Sequence, residues 1–181
     1  MSATSRSIAT RVAVACAVLS TLTLSGCETV APAGETGVTV DANGEPVAVL
    51  AMCAGFVDRL ILYSDSGVTP DPNRPDSADI VHGRWERSTP LKQSAAVSLV
   101  DPADGWTATK PLDVVEPGIE YVMYANGDNQ WSTNSVQFTA ESLAALQPGQ
   151  VLHQTYYERT DSSVDEVIGS VAEFDRAACA P

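Results

Sequence analysis

The sequence is poor in positive charge. Its 181 residues include ten Lys and Arg against 23 Asp and Glu, which gives a formal net charge of −13 at pH 7. A surface this acidic repels nucleic-acid phosphates and anionic lipid headgroups, so we do not expect nucleic acid as a partner. Cations and basic partners remain open, and the excess of acid also has the simpler role of keeping a protein soluble.

Motifs of the common enzyme classes are missing as well. The sequence has no G-x-S-x-G elbow, no S-x-x-K pair, no phosphate-binding loop and no dinucleotide fingerprint. Neither histidine, His82 or His153, has a serine and an acid at a spacing that marks a catalytic triad. We therefore expect no enzyme. A catalytic site assembled in space from distant residues is the alternative, because such sites leave no spacing in the sequence.

Patterns that would bind a metal ion are weak. His82 and Glu86 would share one face of a strand, and with His153 they would supply two imidazoles and one carboxylate to a zinc ion. The aspartates of residues 64–79, together with Asn126, Asp128 and Asn129, would supply oxygen ligands to calcium. The regular calcium loop with its distal glutamate is absent, however. We expect surface histidines and a solvated loop in place of a metal site, and no other cofactor.

One predominantly apolar run stands near the start of the chain. Val12–Leu24 spans thirteen residues, whereas a membrane-spanning helix needs about 20 residues. Arg6 and Arg11 precede the run, and no acidic residue occurs before Glu28. A basic start followed by an apolar run of this length is typical of a secretory signal peptide. The absence of a twin-arginine pair favours export by the general secretory route.

The apolar run ends in Leu24-Ser25-Gly26-Cys27. This segment resembles the lipobox of bacterial lipoproteins, in which a diacylglyceryl group is attached to the cysteine and a peptidase cuts before it. The resemblance implies a signal peptide at 1–26, a lipid on Cys27, and an anchor on the extracytoplasmic face of a cell membrane. The richness in Ala, Val and Asp is similar to that of lipoproteins of uncharacterised type in high-GC bacteria. An ordinary signal peptide with an incidental cysteine is the alternative.

Cysteine is scarce, and the proposed processing reduces it further. Cys16 leaves with the signal peptide and Cys27 carries the lipid, so the 155-residue mature chain keeps Cys53 and Cys179 for pairing. An exported protein meets oxidising conditions, and two cysteines allow one connectivity. The sequence therefore predicts a Cys53–Cys179 disulfide. The mature chain has eight basic residues against 23 acidic ones, a formal charge of −15.

The mature chain is long enough for one domain with a core of its own. Residues 27–36 are small, polar and proline-containing, which predicts a lipidated, flexible tether. From Gly37 onwards, strand-like runs alternate with turn residues, so residues 37–181 are expected to form a single β-rich domain. The predicted strands are 38–40, 47–53, 56–63, 80–87, 95–100, 119–126, 135–139 and 151–158.

Short strands at this spacing predict a mainly β fold, an immunoglobulin-like or related antiparallel β-sandwich with a short C-terminal helix. Leu146-Gln147-Pro148-Gly149 resembles the corner between the sheets of immunoglobulin-like domains, although Leu152 stands where a corner tyrosine is expected. Thr139–Leu146 predicts a helical turn with Thr139 as its N-cap and Ser142 as the alternative cap. Ser170 and Glu173 fit a capping box that starts the C-terminal helix.

The C-terminal helix is expected to pack on the sheet. Val171, Phe174, Ala178 and Cys179 share one of its faces at helical spacing. Docking of this face would bring Cys179 to Cys53.

Two tryptophans are the most distinctive candidate site residues. Trp106 and Trp131 lie in polar stretches rich in turn residues, and loop tryptophans at one end of a sandwich are a common binding surface for proteins or sugars. The alternative is that each ring packs into the end of the core.

The sequence thus favours a membrane-anchored extracytoplasmic binding or interaction module, with an envelope protein or glycan as partner. A small envelope enzyme and a purely structural envelope lipoprotein are the alternatives.

Overall fold

A computed structural model describes residues 31–67, 79–128, 130–156 and 164–180. The predicted signal peptide, 1–26, and Cys27, the predicted site of lipidation, lie outside these ranges. Within the described ranges the chain is mainly β, with a sandwich- or barrel-like sheet and a short C-terminal helix. The predicted fold class is therefore confirmed.

The described chain begins with nine strands, and its two helices follow near the C-terminal end. In the described part of the chain the strands are β1 (Ala31–Val40), β2 (Pro46–Met52), β3 (Val57–Asp65), β4 (Asp79–Leu91), β5 (Ala95–Ser98), β6 (Trp106–Lys110), β7 (Tyr121–Gly127), β8 (Trp131–Asn134), β9 (Val136–Phe138), β10 (Gln150–Tyr156) and β11 (Val164–Ser170). The helices are α1 (Ala140–Ala145) and α2 (Val171–Ala178).

All of these strands belong to one hydrogen-bonded sheet. Its main path runs β11-β10-β1-β8-β7-β3-β4-β6, while β2 and β5 branch from β1 and β9 pairs with β7. The described pairs are antiparallel except β1–β8, which is parallel. The sheet is therefore predominantly antiparallel, as the spacing of short strands predicts.

Strand β1 has three partners. It pairs with β2 from Gly34 to Val40, with β8 from Ala31 to Glu35, and with β10 at Val38. A strand has two hydrogen-bonding edges, so β8 and β10 share the edge opposite β2 and separate from each other near Glu35. A buried hydrogen bond between the hydroxyls of Thr36 and Thr133, 2.6 Å apart, links β1 to β8.

The domain starts earlier than the sequence predicts. β1 begins at Ala31, six residues before Gly37, so the prediction of a flexible tether is wrong for residues 31–36. Ala33 and Thr36 are fully buried, and a Cβ on Gly34 would overlap the carbonyl oxygen of Ala51. Small residues here are needed for a strand enclosed between neighbours, although their composition resembles that of a linker.

The core lies on one face of the sheet, and α2 covers part of the other. In β2, Ala48 and Leu50 belong to the main core, whereas Val49 and Ala51 pack with Phe174 of α2. This explains the almost wholly apolar sequence of β2, since both of its faces are buried. The largest fully buried side chains are Trp85, Tyr121, Phe174, Leu50, Leu60, Leu62, Leu99, Met123 and Leu152.

Three strands were not expected from the sequence. β6 and β8 are five and four residues long, begin at Trp106 and Trp131, and carry several polar residues. β11 (VDEVIGS) has four exposed residues at 165–168 and pairs with β10. β6 and β8 become strands through pairing with β4 and β1, and β11 through pairing with β10. The periodicity of a segment's own sequence does not record such pairing.

Both predicted helix caps are present. Thr139 accepts from the Ser142 amide at the start of α1, and Ser170 forms a capping box with Glu173 at the start of α2. Phe174 is fully buried between α2 and the sheet, whereas Val171 is 38% exposed. The prediction that Val171 lies on the packed face of α2 is therefore wrong. It lies in the first turn of α2, outside the contact around Phe174.

The end of α2 is fixed covalently to the sheet. Cys179, the C-cap of α2, forms a disulfide with Cys53, which directly follows β2. The two Cα atoms are 5.3 Å apart, and the linked residues are 126 positions apart in the chain. The predicted Cys53–Cys179 disulfide is therefore confirmed. In the chain-entropy description a loop of this length gives about 5 kcal/mol of stability at most.

The burial of Phe174 predicts how much α2 contributes to stability. Phe174→Ala should lower the free energy of unfolding by about 3–5 kcal/mol, because it leaves a cavity between α2 and the sheet. Val171→Ala, on the exposed side of the same helix, should change it by less than about 0.5 kcal/mol. Urea titration of both variants with the disulfide intact measures the difference. Equal effects would contradict the described packing of α2.

Candidate functional site

Trp106 and Trp131 do not form a common exposed surface. Trp106 is 5% exposed and lies in the main core, with the guanidinium of Arg87 5.4 Å from its ring centroid. Trp131 is half-buried, packs against the same core, and covers Gly55, where a Cβ would overlap the indole. β7, β3 and β4 separate β8 from β6. The prediction that Trp106 belongs to an exposed binding surface is wrong. Its ring packs into the core, which was the alternative interpretation.

A different feature offers a binding site. A cavity of about 360 Å³ lies where the β1–β2 turn, the irregular segment 111–120 and α1 meet. We call it the apolar groove. It is lined by Asn43, Gly44, Glu45, Pro46, Val100, Leu112, Asp113, Val114, Val115, Ala140, Leu143 and Ala144.

The groove contains two of the large apolar side chains that the fold leaves exposed. Val114 is 61% exposed and Val100 is 50% exposed. Single exposed apolar residues are normal on a protein surface. Two such residues in the wall of one cavity are a stronger sign of a binding site, because an apolar ligand would cover both together.

Two local structures shape the groove. In the β1–β2 turn the carboxylate of Asp41 accepts from the amides of Asn43 and Glu45, both at 2.8 Å, and these bonds lower its pKa. Gly44 has a φ of +83°, a left-handed conformation that favours glycine. The turn therefore holds the Glu45 side of the groove in place.

The opposite wall comes from α1. Ala140, Leu143 and Ala144 are the first, fourth and fifth residues of α1, so they lie on one face of the helix. The Thr139 cap fixes where that face begins. Leu143 is 7% exposed and packs into the core, so α1 anchors the wall while the two alanines leave space.

The charge at the groove has one sign. Glu45 and Asp113 are its ionisable lining residues, and its described lining includes no Lys or Arg. A cavity with apolar walls and carboxylates at its edge favours a ligand that has an apolar body and a positive charge.

A second, smaller cavity of about 100 Å³ lies where β8 and β10 separate. Glu35 accepts from the Asn134 amide at 2.6 Å through Oε1, while its Oε2 is buried with no hydrogen-bond partner among the described residues. Burial raises the pKa of Glu35. His153 is 6% exposed, its ring centroid is 5.1 Å from that of Phe174, and burial lowers its pKa. The volume admits no more than a small ion or a few waters.

The other candidate residues stay apart. His82 on β4 bonds to Ser64 at 2.8 Å, while His153 lies on β10, so the two histidines do not meet in a zinc site. In the ranges that the structure describes, no group of three His, Cys, Asp or Glu is arranged to hold a metal. No helix in those ranges is long and apolar enough to span a membrane.

In comparisons with known proteins, no family model, curated protein or solved structure matches the chain. The site is therefore interpreted from its own geometry.

The sequence did not indicate the groove, because its wall comes from four separate stretches of chain. A partial signal was present in Leu112–Val115. This segment puts three apolar residues beside prolines and acids, outside any strand.

The buried carboxylate of Glu35 predicts a pH-dependent stability. Because its folded-state pKa is raised above 4.5, the charge of Glu35 lowers stability as pH rises through that value. Glu35→Gln removes the charge and keeps an acceptor for Asn134, so it should raise the melting temperature at pH 7 and leave it unchanged at pH 4.

Glu173 is the matched control, because its pKa is shifted in the opposite direction to that of Glu35. Hydrogen bonds from the Ser170 amide and hydroxyl lower the pKa of Glu173, so its stabilising effect is present above 4.5 and is lost as pH falls. Glu173→Gln should therefore lower the melting temperature at pH 7. Melting curves of both variants at pH 4 and pH 7 test the pair. A gain from Glu35→Gln that is equal at both pH values would contradict the role of charge.

Proposed function

We propose that the chain is a lipid-anchored binding protein on the extracytoplasmic face of a cell membrane, and that its ligand lies in the apolar groove. The observation that carries the ligand-binding role is the groove itself, with about 360 Å³ of space, mainly apolar walls and two carboxylates. The anchor rests on the lipobox that ends at Cys27.

The dimensions favour a small molecule. Sites for small ligands are clefts of about 300–1,000 Å³ with mostly apolar walls and a few polar groups that orient the ligand. Covering Val100 and Val114 would stabilise a complex by about 25 cal/mol for each Å² of apolar surface removed from water. A peptide or protein surface would gain the same energy only by inserting a side chain into the cavity.

The charge favours a cationic amphiphile, a molecule with an apolar chain and an ammonium group. Glu45 and Asp113 would lie near the ammonium, and the −15 charge of the mature chain raises the local concentration of cations. An anionic amphiphile of the same length would meet repulsion from the same carboxylates. Charge therefore decides selectivity, and apolar contact supplies most of the affinity.

The groove is pre-formed, which limits the cost of binding. The Asp41 turn and the capped helix α1 hold two walls through hydrogen bonds within the chain itself. A rigid site loses little conformational entropy when it is filled, so more of the contact energy remains as affinity.

Calorimetry on the mature chain with Cys27→Ser tests the ligand class. We expect octylamine to bind at least tenfold more tightly than octanoate at pH 7, a difference of about 1.4 kcal/mol. Val114→Ser should weaken octylamine binding about tenfold by removing apolar contact. Ile168→Ser is the matched control, because Ile168 is 51% exposed on β11, outside the groove.

Charge variants complete this test. Glu45→Gln combined with Asp113→Asn should remove the preference for octylamine over octanoate, whereas Glu166→Gln on β11 should leave it intact. Binding of neither amphiphile would overturn the ligand class. Equal binding of both by the unaltered groove would overturn the role of the carboxylates.

The anchor has a test of its own. In cells given a labelled fatty acid, the full chain should incorporate label and sediment with membranes, because two or more acyl chains give stable attachment. Cys27→Ser should lose the label and appear in the soluble fraction. A Cys27→Ser chain that still sediments completely with membranes would contradict lipid anchoring and leave the groove experiment unaffected.

A further inference from the structure

A serine and a histidine meet on neighbouring strands far from the apolar groove. Ser64 lies near the end of β3, and His82 lies near the start of β4. The register between the strands shifts between Leu62 and Tyr63, where β4 carries one additional residue, His82. At this bulge the Ser64 hydroxyl and the His82 Nε2 are 2.8 Å apart.

A cavity of about 310 Å³ lies against this pair. Ser64 and His82 contribute to its wall, and Ile80, Ile119 and Val122 add apolar surface. The cavity therefore combines a hydrogen-bonded hydroxyl and imidazole with apolar walls that could hold the hydrocarbon part of a ligand. None of these residues lines the apolar groove.

The histidine is held in place and in the neutral state. Its ring packs against the Tyr121 ring in a T-shaped arrangement, with 4.9 Å between the ring centroids. Burial and the charge of Lys110 lower the pKa of His82, while the carboxylate of Glu116 opposes them. The net direction leaves the imidazole neutral at pH 7, and only the neutral form accepts a proton.

Glu116 acts on His82 in two ways, through its backbone amide and through its charge. The backbone amide of Glu116 donates to the hydroxyl of Tyr121 at 2.9 Å, which ties the segment before β7 to the ring that packs on His82. The Glu116 carboxylate acts on His82 through its charge and would stabilise the imidazolium that forms during proton transfer.

We propose that Ser64 and His82 are a nucleophile and a general base that hydrolyse short-chain carboxylic esters in this cavity. A hydrogen-bonded serine and histidine, with the histidine oriented by further groups, is the arrangement that activates a serine. The proposal adds a second site to the proposed binding function and does not rest on it.

The reaction would proceed in two balanced halves. The Ser64 oxygen attacks the ester carbonyl carbon while His82 takes the hydroxyl proton, and the carbonyl electrons move onto the oxygen. Collapse of this intermediate breaks the ester C–O bond, and the departing alcohol takes the proton from His82. Water then attacks the acyl-serine with His82 as base. The acyl–oxygen bond breaks, Ser64 regains a proton, and the products are one acid and one alcohol.

A fluorophosphonate probe applied to membranes that contain the full chain tests the pair. Peptide mapping should place the phosphonyl group on Ser64, and His82→Gln should abolish labelling. The purified full chain should hydrolyse p-nitrophenyl butyrate, and Ser64→Ala should lower that rate at least about 100-fold.

Ser132→Ala is the matched control, because the Ser132 hydroxyl also forms a part-buried hydrogen bond within the sheet, in its case to the Ala125 carbonyl. It should retain labelling and hydrolysis. Near-ultraviolet circular dichroism checks that Ser64→Ala and His82→Gln remain folded. Ser64 left unlabelled in the folded parent protein, or equal hydrolysis by the parent and Ser64→Ala, would overturn the proposal and assign the hydrogen bond to structure alone.

Discussion

The pairing of β1 is the constraint on which the rest of the fold depends. One edge of β1 is covered by β2, while the other is divided between β8 and β10. The Thr36–Thr133 hydrogen bond fixes the parallel pairing of β1 with β8. The Thr133 hydroxyl also accepts a hydrogen bond from the Ala125 amide of β7. A buried polar group without a partner costs about 1–3 kcal/mol, so this network specifies the register of three strands.

The divided edge also explains the position of α2. Where β8 and β10 separate, the sheet leaves polar groups such as Glu35 near a gap, and the C-terminal end of α2 lies against it. Phe174 fills the apolar side of this contact, and Gly37 is required beneath it, because a Cβ there would overlap Val151. The disulfide then holds the end of α2 at the edge of the gap.

Local signals predicted much of this structure. The caps at Thr139 and Ser170 were readable because they depend on residues three apart, and the two-sided burial of β2 was readable from its continuous apolar run. The disulfide followed from counting cysteines. By contrast, β6, β8 and residues 31–36 of β1 are strands through distant pairing, and their own composition resembles that of loops.

The candidate sites were hidden for the same reason. The groove combines a turn, an irregular segment and a short helix, and the Ser64–His82 contact depends on a bulge between two strands. Trp106 and Trp131 lie among polar residues in the sequence, although the Trp106 ring is buried in the core and the Trp131 ring packs against it. Polar surroundings in sequence therefore do not show that an aromatic ring is exposed.

If lipid on Cys27 anchors the chain, as we propose, the Cys53–Cys179 disulfide has a further consequence. A single proteolytic cut anywhere between these two cysteines leaves both fragments covalently joined. Release of the downstream fragment then requires reduction of the disulfide as well as cleavage of the chain. Before Cys53, the exposed turn of residues 42–44 is flanked by β1 and β2, which stay paired through seven registered residues. Shedding of the domain is therefore opposed by the bond at one end and by strand pairing at the other.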